Sequence, residues 1–163
     1  MIRRILAAAL LAAALPAMAQ TRIVPAANYT DLWWNPDENG WGVTITQHAS
    51  NQIWAIWYTY DPRLPDSSSP GNFKPLWINM PGGIWTDPTT LTGDVYVTAG
   101  APYFQSGAAN AQTRVGTFTF HFANTQTGTF TYNIAAPGGL ASNDPAFGLP
   151  PMAGTKPIQR IPF

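Results

Sequence analysis

The alternation of side chains between Val115 and Ile134 constrains this chain more than any other feature. Phe118, Phe120 and Phe122 alternate with Thr117, Thr119 and His121; after the connection from Ala123 to Thr127, Phe130, Tyr132 and Ile134 alternate with Thr129, Thr131 and Asn133. A period of two sends successive side chains to opposite faces of an extended chain, so both segments read as strands with one buried face. The connection between them is of hairpin length. No segment keeps helical spacing, and 14 Gly with 16 Pro in 163 residues suit a turn-rich β protein.

The same rhythm extends through the chain and predicts eight strands, at about 29–34, 41–48, 53–60, 74–80, 90–98, 114–122, 127–134 and 155–161. Asn39-Gly40 offers the positive-φ residues of a tight turn, and Pro81-Gly82-Gly83 reads as a break in the fourth strand, after which Ile84-Trp85 continues it briefly. Pro157 and Pro162 would confine the last strand to an edge or a short segment. Short turns between successive strands favour an antiparallel up-and-down meander, and eight strands can close into a barrel with no free edge; a β-sandwich is the alternative. Asp61 to Asn72 and Gly100 to Thr113 are long irregular connections, and Ala135 to Gly154 is a Gly, Pro and Ala-rich excursion.

The first residues speak to compartment. Met-Ile-Arg-Arg, an apolar run from Ile5 to Ala14, Pro16 and Ala17-Met18-Ala19 form the three regions of a secretory signal peptide. The run is well short of the roughly 20 residues of a membrane-spanning helix. Cleavage after Ala19 leaves 144 of the 163 residues, residues 20–163, as a single β domain. Export makes the location periplasmic or extracellular. Thr21 to Asn28 is then a lead-in lying loosely across the surface.

Without Arg3 and Arg4 the eight basic residues fall to six against eight acidic ones. That balance supplies no basic stripe for nucleic acid and no polybasic patch for lipid. With no cysteine, disulfides and thiolate-bound zinc are excluded, and packing must hold the fold together. Seven Trp, six Tyr and eight Phe residues supply it.

Chemistry-bearing clusters are sparse. Asn35-Pro36-Asp37-Glu38-Asn39-Gly40 has the oxygen spacing of a calcium loop, but its twelfth position is Thr46 and it runs into a strand, so a capped hairpin turn is the reading. His48 and His121 fall on polar strand faces as ordinary exposed histidines, and no metal or other cofactor is expected. Asp61, Asp87 and Asp144 each precede a proline, a turn-capping position. Asp94, inside a strand, is the carboxylate whose burial would raise interest in an acid–base role. There is no Gly-x-Ser-x-Gly elbow, and no catalytic residue is assigned.

Aromatic residues are the better signal. Ile53 to Tyr60 is apolar on both faces: Ile53, Ala55 and Trp57 on one, Trp54, Ile56, Tyr58 and Tyr60 on the other. Trp34, Trp41, Trp54, Tyr58, Tyr60 and Trp77 are the candidate ligand-contacting residues, since amphipathic rings suit stacking on sugars or capping an apolar ligand.

Leu32-Trp33-Trp34-Asn35-Pro36 with Glu38 and Gly40-Trp41-Gly42, then Trp57-Tyr58-Thr59-Tyr60-Asp61, Pro75-Leu76-Trp77, Gly93-Asp94 and Val115-Gly116-Thr117, resemble an uncharacterised secreted β-domain family of proteobacteria. The resemblance covers most of residues 20–163, implies an exported β domain and carries over no catalytic residue. The stretches 63–72 and 135–154 are longer here than in that family's pattern. A Trp near the end of the first strand is similar to avidin and lipocalin barrels at the level of fold alone. The function expected is a secreted, non-enzymatic barrel that binds a small molecule, glycan or protein partner through rings and loops. An eight-stranded outer-membrane barrel is the second reading, and an enzyme of unknown class using Asp94 or a histidine is the third.

Overall fold

The computed structural model describes residues 23–63, 73–105 and 110–162. The signal segment 1–19, the predicted loop over 64–72 and Phe163 lie outside the described residues. Eight strands follow in order: β1 Asp31–Trp34, β2 Gly42–Gln47, β3 Ile53–Tyr60, β4 Pro75–Asp87, β5 Thr90–Ala99, β6 Ala111–Phe122, β7 Thr127–Ile134 and β8 Met152–Arg160. Each pairs antiparallel with the next, and β8 returns to β1, so the meander closes as a barrel rather than forming a sandwich.

The interior is filled. Ile53, Ala55 and Trp57 of β3, Phe118, Phe120 and Phe122 of β6 and Phe130 of β7 all point inward and are buried. Phe130 lies at the centre, 4.9 Å from Phe118 and 5.0 Å from Phe120 between ring centroids, with Trp57 at 5.4 Å. The end carrying the short turns is closed by Tyr29, which stacks on Phe122 at 3.9 Å and accepts the Trp33 indole N–H on its carbonyl at 3.1 Å. The described part of the lead-in, 23–28, is not loose: Ile23 and Ala27 pack against the core, and the Ala26 amide donates to the Pro88 carbonyl.

The end carrying the long connections is closed by the excursion 135–151. Its Ala146 and Leu149 enter the core. Asp144 accepts the Thr113 hydroxyl at 2.8 Å and the Ala146 amide at 2.8 Å, while the Arg63 guanidinium donates to the Pro145 and Phe147 carbonyls. Asp61 orients that guanidinium. Burial pushes the Asp61 carboxyl up, but the hydrogen bonds and charge of Arg63 outweigh it and hold the carboxyl below its ordinary range.

Three strand boundaries, the end of β4 and the starts of β6 and β8, differ from the sequence reading by three residues or more. β6 begins at Ala111 and β8 at Met152, three residues earlier than expected in each case. Pro157 falls, as expected, on an edge-like stretch of β8: β1 meets β8 only at Gln159 and Arg160, so the proline has a strand neighbour on β7 alone. Pro81-Gly82-Gly83 does not end β4 but forms a bulge within it, because Gly82 at φ 91° absorbs the extra residue that a side chain would resist. Gly93 on β5 leaves space for the Met80 side chain, which a Cβ there would meet at 2.8 Å.

Candidate functional site

Because Ile53, Ala55 and Trp57 face inward, the pleat sends Trp54, Ile56, Tyr58 and Tyr60 to the outer wall. Register then sets each against an outward neighbour on β4: Tyr60 opposite Pro75, Tyr58 opposite Trp77, Ile56 opposite Asn79 and Trp54 opposite Pro81. The rings stay in solvent, with exposures of 50% for Trp54, 37% for Tyr58, 54% for Tyr60 and 59% for Trp77. A lone exposed ring is unremarkable on a protein surface, whereas a row of them on two adjacent strands is a patch.

Near the long-loop end the row deepens into an open groove of about 250 Å³. Tyr58 and Trp77 meet edge to face, 5.9 Å apart at 79°, and Tyr60 and Pro75 extend the floor. Gly42 is the β2 neighbour of Tyr58, so no side chain covers that flank of the ring. The Gly40 backbone packs beside Tyr60, where even a Cβ would sit 3.5 Å from the ring. The Gly-Trp-Gly run thus borders the groove with backbone on both sides of Trp41. Among the described residues no carboxylate, ammonium or guanidinium lines the groove.

Searches against protein-family models, curated proteins and solved structures find no match to this chain. The arrangement of its own residues is therefore the basis for a functional reading.

Of the six residues singled out by sequence, Tyr58, Tyr60 and Trp77 come together with one flank of Trp41. Trp54 shares their wall, four residues from Tyr58 along β3. Trp41 itself is half-buried against the core, 6.1 Å from Phe130, and its indole N–H donates to Glu38 at 2.9 Å. Lys156 also donates to Glu38 and lies 5.5 Å from the Trp41 ring centroid. The Lys156 and Trp41 hydrogen bonds hold the Glu38 carboxyl below its ordinary range. Trp34 is half-buried on β1 beside Gln159 of β8, away from the groove. Sequence reading missed Gly40, Gly42 and Pro75, which carry no functional group and gain importance from the register alone.

The remaining candidates are dispersed. Asp94 is exposed on the outer wall in an ion pair with Arg114 at 2.6 Å, which lowers its carboxyl; the anticipated interest in a buried Asp94 ends there. His48 pairs with Ser50 in a turn, and His121 with Thr90 on the wall. Among the described residues no group of three or more His, Cys, Asp or Glu side chains converges to hold a metal ion. Asn35 to Gly40 is a turn in which the Asn35 side chain accepts the Asp37 amide and the Asn35 carbonyl accepts the Glu38 amide.

Proposed function

We propose that this chain is an exported, non-enzymatic β-barrel module, periplasmic or extracellular, that binds a small molecule, glycan or protein partner on the outer wall of β3 and β4. The observation that carries the reading is the exposure of Trp54, Tyr58, Tyr60 and Trp77 together on one wall. The filled interior supports a ligand on the wall rather than in the lumen. The signal-like first 19 residues and the resemblance to secreted β domains support export.

The outer wall of β5 to β8 favours this reading over an outer-membrane barrel. Thr92 pairs with Thr119 and Thr131 with Thr155 through their hydroxyls, at 3.0 and 2.8 Å, and the Asp94–Arg114 pair stands among them. A spanning barrel needs an apolar band on that side and a polar interior. The test is expression of the full chain in a Gram-negative host. Osmotic shock should release a protein beginning at Gln20, and tryptophan fluorescence across diverse ligand libraries should find a binder that Trp77→Ala weakens. Retention in the membrane after shock and salt washing, or library binding indifferent to Trp77→Ala, would refute the proposal.

A further inference from the structure

We infer that the occupant of the β3–β4 strip is an extended, uncharged polysaccharide chain, its pyranose rings seated against Tyr58, Trp77 and Trp54. This rests on the proposed binding role of the strip and names its ligand class. Shape, charge and size each narrow the choice.

The row runs from Trp54 to Tyr60 along β3, about 20 Å at the rise of an extended strand, and is two strands wide, about 10 Å. That is about 200 Å², against the roughly 800 Å² that each partner contributes to a standard protein interface. Polar side chains flank and interrupt the row: Thr44 and Thr46 on β2 lie beside it, and Asn79, opposite Ile56 within it, is joined to Thr98 of β5. A protein partner would have to extend its contact onto these polar flanks.

Charge argues against other chain-like ligands. Single-stranded nucleic acid needs cations along its backbone, and none lines the groove among the described residues. An acidic polysaccharide meets the same lack, and no carboxylate is present among the described lining residues to pair with a cationic ligand. The groove is also smaller than the roughly 300–1,000 Å³ of a pocket that engulfs a compact ligand, and it is open. It accommodates a ring or two at a time from a chain that continues beyond it. A sugar ring offers one C–H face to an aromatic ring and a rim of hydroxyls to the phenols and the flanking threonines. Trp54, on the same wall but outside the groove, gives such a chain a second contact.

Isothermal titration of the exported protein with cellohexaose and hexa-N-acetylchitohexaose, their disaccharides, and polygalacturonate tests this. At least one neutral hexaose should bind, about tenfold or more tightly than its disaccharide. Tyr58→Ala and Trp77→Ala should each weaken it about tenfold, and Trp77→Phe by no more than about threefold. Trp54→Ala should weaken the hexaose and leave the disaccharide unchanged. All three side chains are solvent-facing, so an unchanged thermal midpoint establishes that each variant folds. Preference for polygalacturonate, or a hexaose affinity indifferent to Tyr58→Ala and Trp77→Ala, would overturn the inference. If no neutral oligosaccharide binds but another ligand is lost in Trp77→Ala, the polysaccharide assignment fails and the binding module stands. If no ligand at all responds to Trp77→Ala, both fall.

Discussion

Replacing Phe130 by alanine tests whether the barrel is a packed core or a container. Phe130 is fully buried, and its ring meets Trp57, Phe118, Phe120, Tyr132 and Trp41 at centroid distances from 4.9 to 6.1 Å. Truncating a buried Phe removes its transfer free energy and leaves a cavity, which together cost about 3–5 kcal/mol. The upper part of that range applies here. The surrounding rings project from β3, β6 and β7 of a closed sheet, which cannot collapse around a vacancy as an open layer can. In a domain of this length each kcal/mol lowers the melting temperature by about 2–4 °C, so Phe130→Ala should melt about 8–20 °C below the parent. Urea denaturation and thermal melting, each followed by near-ultraviolet circular dichroism, measure the two quantities, with Phe130→Leu as a milder variant and Trp54→Ala as an exposed control. A loss below about 1 kcal/mol would refute the reasoning, because a lumen shaped to hold a ligand tolerates a smaller side chain where a packed core does not.

Three other perturbations probe the closures. Arg63→Ala removes the donors that fasten the 135–151 excursion, and hydrogen exchange should quicken over 141–149 with a stability loss of about 1–3 kcal/mol, while the β6–β7 hairpin keeps its protection. Unchanged exchange over 141–149 would contradict that fastening. Glu38 titrates below its ordinary range in the folded protein, so its contribution is complete above the unfolded value of about 4.3 and is lost as pH falls through the lowered folded value. Trp41 emission should report that acid transition in the parent and not in Glu38→Gln; an identical titration in both would refute it. Gly93→Ala places a methyl group 2.8 Å from Met80 and 2.9 Å from the Gly83 backbone, and overpacking should cost about 1–3 kcal/mol by chemical denaturation. Gly93→Ala combined with Met80→Ala should remain destabilised because the backbone contact persists, and full recovery in the double variant would refute that origin.

The strands were legible because alternation is written into each of them separately. Turn chemistry was equally local: Asp61, Asp87 and Asp144 each accept the amide two residues on, across the proline between. Trp33 and Trp34 show where local information ends. Alternation requires them to face opposite ways, but two identical side chains give no indication of which enters the core, and contact with Tyr29 and Phe122 places Trp33 there. Trp41 likewise owes its half-buried position to Glu38 and to Lys156 on β8, a partner far away in sequence. The Gly, Pro and Ala-rich composition of 135–154 marks an excursion, but nothing in it foretells that Ala146 and Leu149 would stop one end of the barrel. The aromatic row was half visible. β3 alone displays Trp54, Tyr58 and Tyr60, while the groove depends on the register that sets Trp77 and Gly42 on either side of Tyr58.

The junction of β1 and β8 is held by two register pairs, Trp33 with Arg160 and Trp34 with Gln159, beside ladders of six to ten pairs between most other neighbours. Seven of the eight pairings join consecutive segments and can form by local zipping; the eighth must bring together strands more than 120 residues apart. Until it closes, the sheet has two unpaired margins, each able to recruit a strand from another molecule. The salt links from Lys156 to Glu38 and from Arg160 to Asp31 act across this gap, as does the contact of the Arg160 guanidinium with the Trp33 ring. Solubility during assembly therefore depends on the end of β8, and a molecule that lost Gln159 and Arg160 would be less a smaller barrel than a curved ribbon with adhesive borders.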